Sequence, residues 1–64
     1  MIIGVIGSGG REHAICKKII ESKKVEKLFC FPGNAGTETM ATNVEIKIDD
    51  FEKIKEFVIN NKID

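Results

Sequence analysis

The chain has 64 residues, and ten Lys and Arg balance ten Asp and Glu to a formal net charge of zero. A chain of this length forms one small domain and buries only about 60% of the surface its unfolded form exposes; without a basic excess, no nucleic-acid partner is expected. No apolar run approaches the roughly 20 residues of a membrane span and no signal peptide is legible, so no membrane partner and a cytoplasmic location are expected.

Ile2-Ile3-Gly4-Val5-Ile6 is apolar without alternation and rich in β-branched residues, which predicts a central strand buried on both faces. It passes directly into GSGGREH, Gly7 to His13. Strand, glycine turn and helix start in that order set unpaired backbone N–H groups and a helix dipole where an anion can sit. Gly7, Gly9 and Gly10 are free to adopt positive φ and carry no Cβ to hold a ligand off. Arg11 adds a planar cationic fork suited to phosphate oxygens.

From Arg11 to about Ser22 the pairs Ile15/Ile19 and Cys16/Ile20 stack at i, i+4, predicting a helix packed on the sheet. Lys23, Lys24 and Glu26 mark a charged turn before Leu28-Phe29-Cys30-Phe31, a second doubly buried strand. Pro32 ends it, and Gly33-Asn34-Ala35-Gly36-Thr37 forms a loop at its carboxyl end. Val44-Glu45-Ile46-Lys47-Ile48 alternates apolar with charged, as a one-sided edge strand does. Asp49 with Glu52 resembles a capping box, and Phe51, Ile54, Phe57 and Val58 share one face of a second helix reaching about Asn60. Ile63-Asp64 reads as the first step of a fourth strand.

This rhythm is that of an α/β domain with a parallel sheet and right-handed crossovers. Two doubly buried strands and one edge strand give the order 3-2-1 in a partial doubly wound, Rossmann-like sheet, truncated before its fourth strand. Ligands of such sheets bind outside the carboxyl ends of the strands, where GSGGREH and GNAGT both emerge, so the two loops are expected to converge on one ligand. The predicted core is Ile15, Ile19, Phe29, Phe31, Ile54 and Phe57. Cys16 and Cys30, in apolar segments with no CxxC, read as reduced core thiols rather than zinc ligands or a disulfide.

Two familiar phosphate motifs fit poorly. A dinucleotide fingerprint starting at Gly7 needs a small residue where Glu12 stands, and the acid that would hold a ribose is missing because the second strand ends at Phe31-Pro32. The P-loop fails because Gly10 leads into Arg11 rather than Lys-Ser or Lys-Thr.

GSGGREH after the first strand and FPGNAGT after the second resemble the amino-terminal domain of the phosphoribosylamine-glycine ligase (glycinamide ribonucleotide synthetase) family, over the whole of residues 1–64. The resemblance implies a pre-ATP-grasp lobe of a purine-biosynthesis ligase that joins glycine to 5-phosphoribosylamine through a glycyl phosphate. ATP and Mg2+ (or Mn2+) would bind the remaining domains of that ligase, outside this chain, and the chain alone would hold the substrate side without being catalytic.

Under that resemblance Gly7, Ser8, Gly9, Gly10, Arg11 and Glu12 are the residues expected to bind phosphoribosylamine, with Asn34, Gly36 and Thr37 on a second wall. No catalytic or metal-ligating residue is assigned; Asp49, Asp50 and Glu52 fit a solvated helix start better than a metal cluster. The bland alternatives stand beside these roles: a ligand-free tight turn, a solvated Arg11, a Glu12 that only complements the dipole, a His13 that only packs, and an ordinary second loop. Two other functions also remain open, a nicotinamide-dependent dehydrogenase with a degenerate fingerprint and a non-catalytic phosphate-binding module.

Overall fold

The computed structural model describes all residues, Met1–Asp64. Strand β1 (Ile2–Gly7) leads through a two-residue turn into helix α1 (Gly10–Ile20), which returns to strand β2 (Lys27–Pro32). A short 3-10 turn (Thr37–Thr39), strand β3 (Thr42–Asn43) and helix α2 (Phe51–Asn60) complete the chain. The three strands form one parallel sheet with β2 in the middle, so the order is 3-2-1 as the sequence predicts. Ile2 stands opposite Lys27, and the register runs without slippage to Gly7 opposite Pro32.

Because side chains alternate along a strand, β2 is covered by a different helix on each face. Leu28 and Cys30 point toward α1 and form the buried centre with Cys16, flanked by Ile3, Val5, Ile19, Val25 and Met40. Phe29 and Phe31 point the other way, and Phe57 of α2 meets both edge-on, with ring centroids 5.0 and 5.2 Å apart. Gly4 belongs to this second face: a Cβ there would lie 2.9 Å from the Phe31 ring. The chain end returns to β1, where Asp64 donates its N–H to the carbonyl of Ile2 and accepts the Ile2 N–H on its carboxylate. That places Ile63-Asp64 on the side of β1 away from β2.

Four expectations are corrected. β1 is only half-buried, with Ile6 51% exposed, because no strand or helix of this chain covers its outer part. Ile15 lies outside the core at 46% exposure; the narrow sheet covers only the stripe of α1 through Cys16 and Ile19, and Phe51 of α2 is likewise 75% exposed. The helix cap is Asp50, not Asp49: the Asp50 carboxylate accepts the Lys53 N–H at 3.3 Å, and the helix starts at Phe51.

The third strand also stops before the alternating segment expected to form it. Thr42 and Asn43 pair with Phe29 and Cys30, and the Val44 N–H still reaches the Cys30 carbonyl at 2.8 Å. In a parallel ladder the next bond would come from the N–H of residue 32 to the Val44 carbonyl. Pro32 has no such hydrogen. The Val44 carbonyl instead accepts from Ile46 at 2.7 Å, which bends the chain off the sheet and leaves Val44–Ile48 outside it.

Candidate functional site

The carboxyl ends of β1 and β2 carry the two glycine loops. Of the three glycines in the first turn only Gly7 has a positive φ, at +148°. Gly9 is extended at φ −86°, and Gly10 is already helical, so strain-free positive φ is needed once rather than three times. The space over Gly7 is filled by the side chain of Glu12, whose carboxylate accepts the Gly9 N–H at 3.1 Å. This explains how an acid stands where a dinucleotide fold demands a small residue: Glu12 folds back over the turn and caps its own helix.

Beyond that one capped donor, the N–H groups of Gly10, Arg11 and Glu12 make no hydrogen bond within the chain. They are the free donors that every helix start leaves, and here they lie beside the exposed Arg11, which forms no ion pair. A Cβ at Gly10 would meet nothing within 4 Å. The arrangement is open and rich in donors, with the Arg11 cation beside the Glu12 carboxylate that caps the turn, and its free donors suit an anion.

The second loop is joined to the first by hydrogen bonds. Gly33 donates its N–H to the Gly7 carbonyl at 3.1 Å. The Asn34 amide nitrogen donates to the carbonyls of Ser8 at 2.7 Å and Gly9 at 3.1 Å, while its oxygen accepts the Thr37 N–H. The Thr37 hydroxyl is fully buried; it accepts from the Asn34 N–H and lies 2.8 Å from the Asn43 amide oxygen. Gly36 lies under the His13 ring, where a Cβ would approach to 3.0 Å, so His13 packs α1 against the second loop. Asn43 escaped the sequence reading. A lone Asn ahead of an alternating stretch resembles any turn residue, and only the pairing of β3 with β2 brings it to the loop.

Two other features stand apart from this site. A hollow of about 500 Å³ between the end of α1 and the segment entering β3, lined by Ile20, Leu28, Phe29, Met40 and Ala41, opens at the opposite, amino-terminal end of the strands. Cys16 and Cys30 are free thiols with sulfurs 3.2 Å apart. Burial, then the hydrogen bond to Cys30, pushes the Cys16 thiol up to about 12, so it stays protonated and inert at neutral pH. No three His, Cys, Asp or Glu side chains gather where they could hold a metal ion.

Parallel strands, a helix on each face of β2 and a donor-rich glycine turn at the strands' carboxyl ends define a partial Rossmann-like α/β domain. Residues 1–64 match the family described as phosphoribosylglycinamide synthetase, N domain, and the chain belongs to that family. Over its full length it is 52% identical to a phosphoribosylamine–glycine ligase of Caldanaerobacter subterraneus subsp. tengcongensis, covering 15% of that protein. It is 45% identical over 62 residues to the ligase of a Nostoc species, covering 94% of this chain and 15% of the relative. A third match, to the Xanthomonas campestris pv. campestris ligase, is 56% identical over 54 residues, 81% of this chain and 12% of the relative. The chain thus spans about 15% of the length of such relatives.

Proposed function

We propose that this chain is the amino-terminal, substrate-side lobe of a purine-biosynthesis ligase that joins glycine to 5-phosphoribosylamine with consumption of ATP, and that the glycine turn holds the phosphate of phosphoribosylamine. The carrying observation is the cluster of unpartnered N–H groups on Gly10, Arg11 and Glu12 beside an unpaired Arg11, in a domain of this family. The relatives bear the ligase's name.

In this reading ATP, its metal and glycine bind in the rest of the ligase, and the phosphoryl group activates the glycine carboxylate as an acyl phosphate. This lobe contributes placement. An acyl phosphate is lost to water unless the attacking amine is already in line, and fixing the phosphate end of phosphoribosylamine restricts where its amine can lie. The residues proposed to take part are Gly7 to Glu12, with the loop of Asn34, Gly36 and Thr37 as the wall behind the turn.

Steady-state kinetics of the full-length protein test the reading. Arg11→Ala removes a side chain that has no internal partner, so folding is preserved. It should cost about 1.5–3 kcal/mol for loss of a charge-assisted contact, seen as a rise in KM for phosphoribosylamine with KM for ATP unchanged. Gly9→Val, which sets a branched side chain against the Glu12 carboxylate and into the turn, should reduce phosphoribosylamine use by orders of magnitude. Wild-type use of phosphoribosylamine by both folded variants would show that the turn is structural.

A further inference from the structure

The same hydrogen bonds that join the loops also dictate where the turn's donors point. In a planar trans peptide the C=O and N–H face opposite ways. Asn34 holds the Ser8 carbonyl at 2.7 Å, and the N–H of that same peptide, on Gly9, is delivered to Glu12. The Gly9 carbonyl accepts both the Asn34 amide at 3.1 Å and the His13 N–H of the first helical turn at 3.3 Å, and the two together turn the N–H of that peptide, on Gly10, away from the second loop. That Gly10 N–H is one of the donors left without a partner.

Asn34 is itself held. Its N–H goes to the Thr37 hydroxyl at 2.8 Å and its carbonyl receives the Asn43 amide at 2.8 Å. The Asn43 amide oxygen in turn lies 2.8 Å from the Thr37 hydroxyl. Asn43 is the last residue of β3, in register with Cys30, so the chain of contacts runs from the sheet to the glycine turn. None of the buried side-chain polar atoms in it lacks a partner. Satisfied networks of this kind admit few alternative geometries.

We propose that Asn34 and Asn43 are positioning residues for the phosphate site: Asn43 anchors the second loop to β3, and Asn34, so anchored, aims the Gly10 N–H at the ligand. Both act through the backbone of the turn. The inference rests on the reading of the glycine turn given above. It assigns to Asn34 an indirect role and adds Asn43, which no motif marks.

The experiment is steady-state kinetics of the full-length protein with phosphoribosylamine, ATP and glycine varied in turn, on Asn34→Ala, Asn43→Ala and the double variant. Each single variant should raise KM for phosphoribosylamine about tenfold or more while KM for ATP stays within about twofold, a split that general loosening of the fold does not produce. Because both residues act through one clamp, the double variant should be no worse than the more affected single. Asn43→Asp keeps the acceptor for Thr37 and the shape but replaces the donor to Asn34 by a charged oxygen that repels the Asn34 carbonyl, releasing the clamp, and should show the same selective rise if Asn43→Ala does not fold.

Wild-type KM for phosphoribosylamine in folded Asn34→Ala or Asn43→Asp overturns the proposal, as does a multiplicative double variant, which would mean two independent roles. If Arg11→Ala and Gly9→Val impair phosphoribosylamine use and the asparagine variants do not, only the positioning role fails. If Arg11→Ala and Gly9→Val have no effect either, the glycine-turn reading itself has failed.

Discussion

Gly33→Ala puts the architecture of the second loop to a quantitative test. Gly33 sits at φ +75°, and a Cβ there would fall on the Asn43 amide and lie 2.7 Å from the Thr37 hydroxyl. The left-handed backbone alone costs about 1 kcal/mol with a side chain present. Displacing the Asn43 amide also breaks its bonds to Thr37 and Asn34, each contributing about 0.5–1.5 kcal/mol. The expected loss is therefore about 2–4 kcal/mol, a large share of the stability of a small domain. Urea unfolding followed by circular dichroism measures it. In an Asn43→Ala background the collision with the amide is gone and only the close approach to the Thr37 hydroxyl remains, so Gly33→Ala should then cost about 1–2 kcal/mol, less than in the parent chain. An equal cost in the two backgrounds would refute the contact argument, and no cost in either would refute the whole account of the loop.

Two further outcomes follow from the core. Phe57→Ala strips α2 of its edge-on contacts with Phe29 and Phe31 and should destabilise the domain by about 3 kcal/mol, as truncation of a packed aromatic does; a loss under about 1 kcal/mol in the same urea assay would show that α2 is held by something else. The raised Cys16 thiol predicts a pH effect: it holds its proton in the folded state to about 12 but releases it near 9.0 when unfolded, so the unfolded state binds fewer protons between those values and stability falls as pH rises above about 9. Unfolding midpoints across pH 8 to 11 should decline, and Cys16→Ala should flatten the decline; equal slopes in both would contradict the assignment.

Local pattern was enough to place β1, α1, β2 and α2 along the chain, because apolar runs and i, i+4 spacing mark segments that have a core-facing side. The parallel order 3-2-1 followed from the same runs, and the two glycine loops could be placed at one end of the sheet from chain direction alone. What the sequence could not reveal was set by neighbours distant along the chain. Whether Ile15 or Cys16 is buried depends on how much sheet lies beneath α1. The alternating Val44–Ile48 stretch has the pattern of a strand, yet Pro32 in the adjacent strand lacks the donor that would keep it in the sheet. Asn43 illustrates the same limit at the candidate site: its role comes from the register of β3 against β2, which carries its amide to Thr37 and Asn34. Periodicity records whether a residue faces inward, whereas a hydrogen-bond partner is decided by tertiary pairing that leaves no period in the chain.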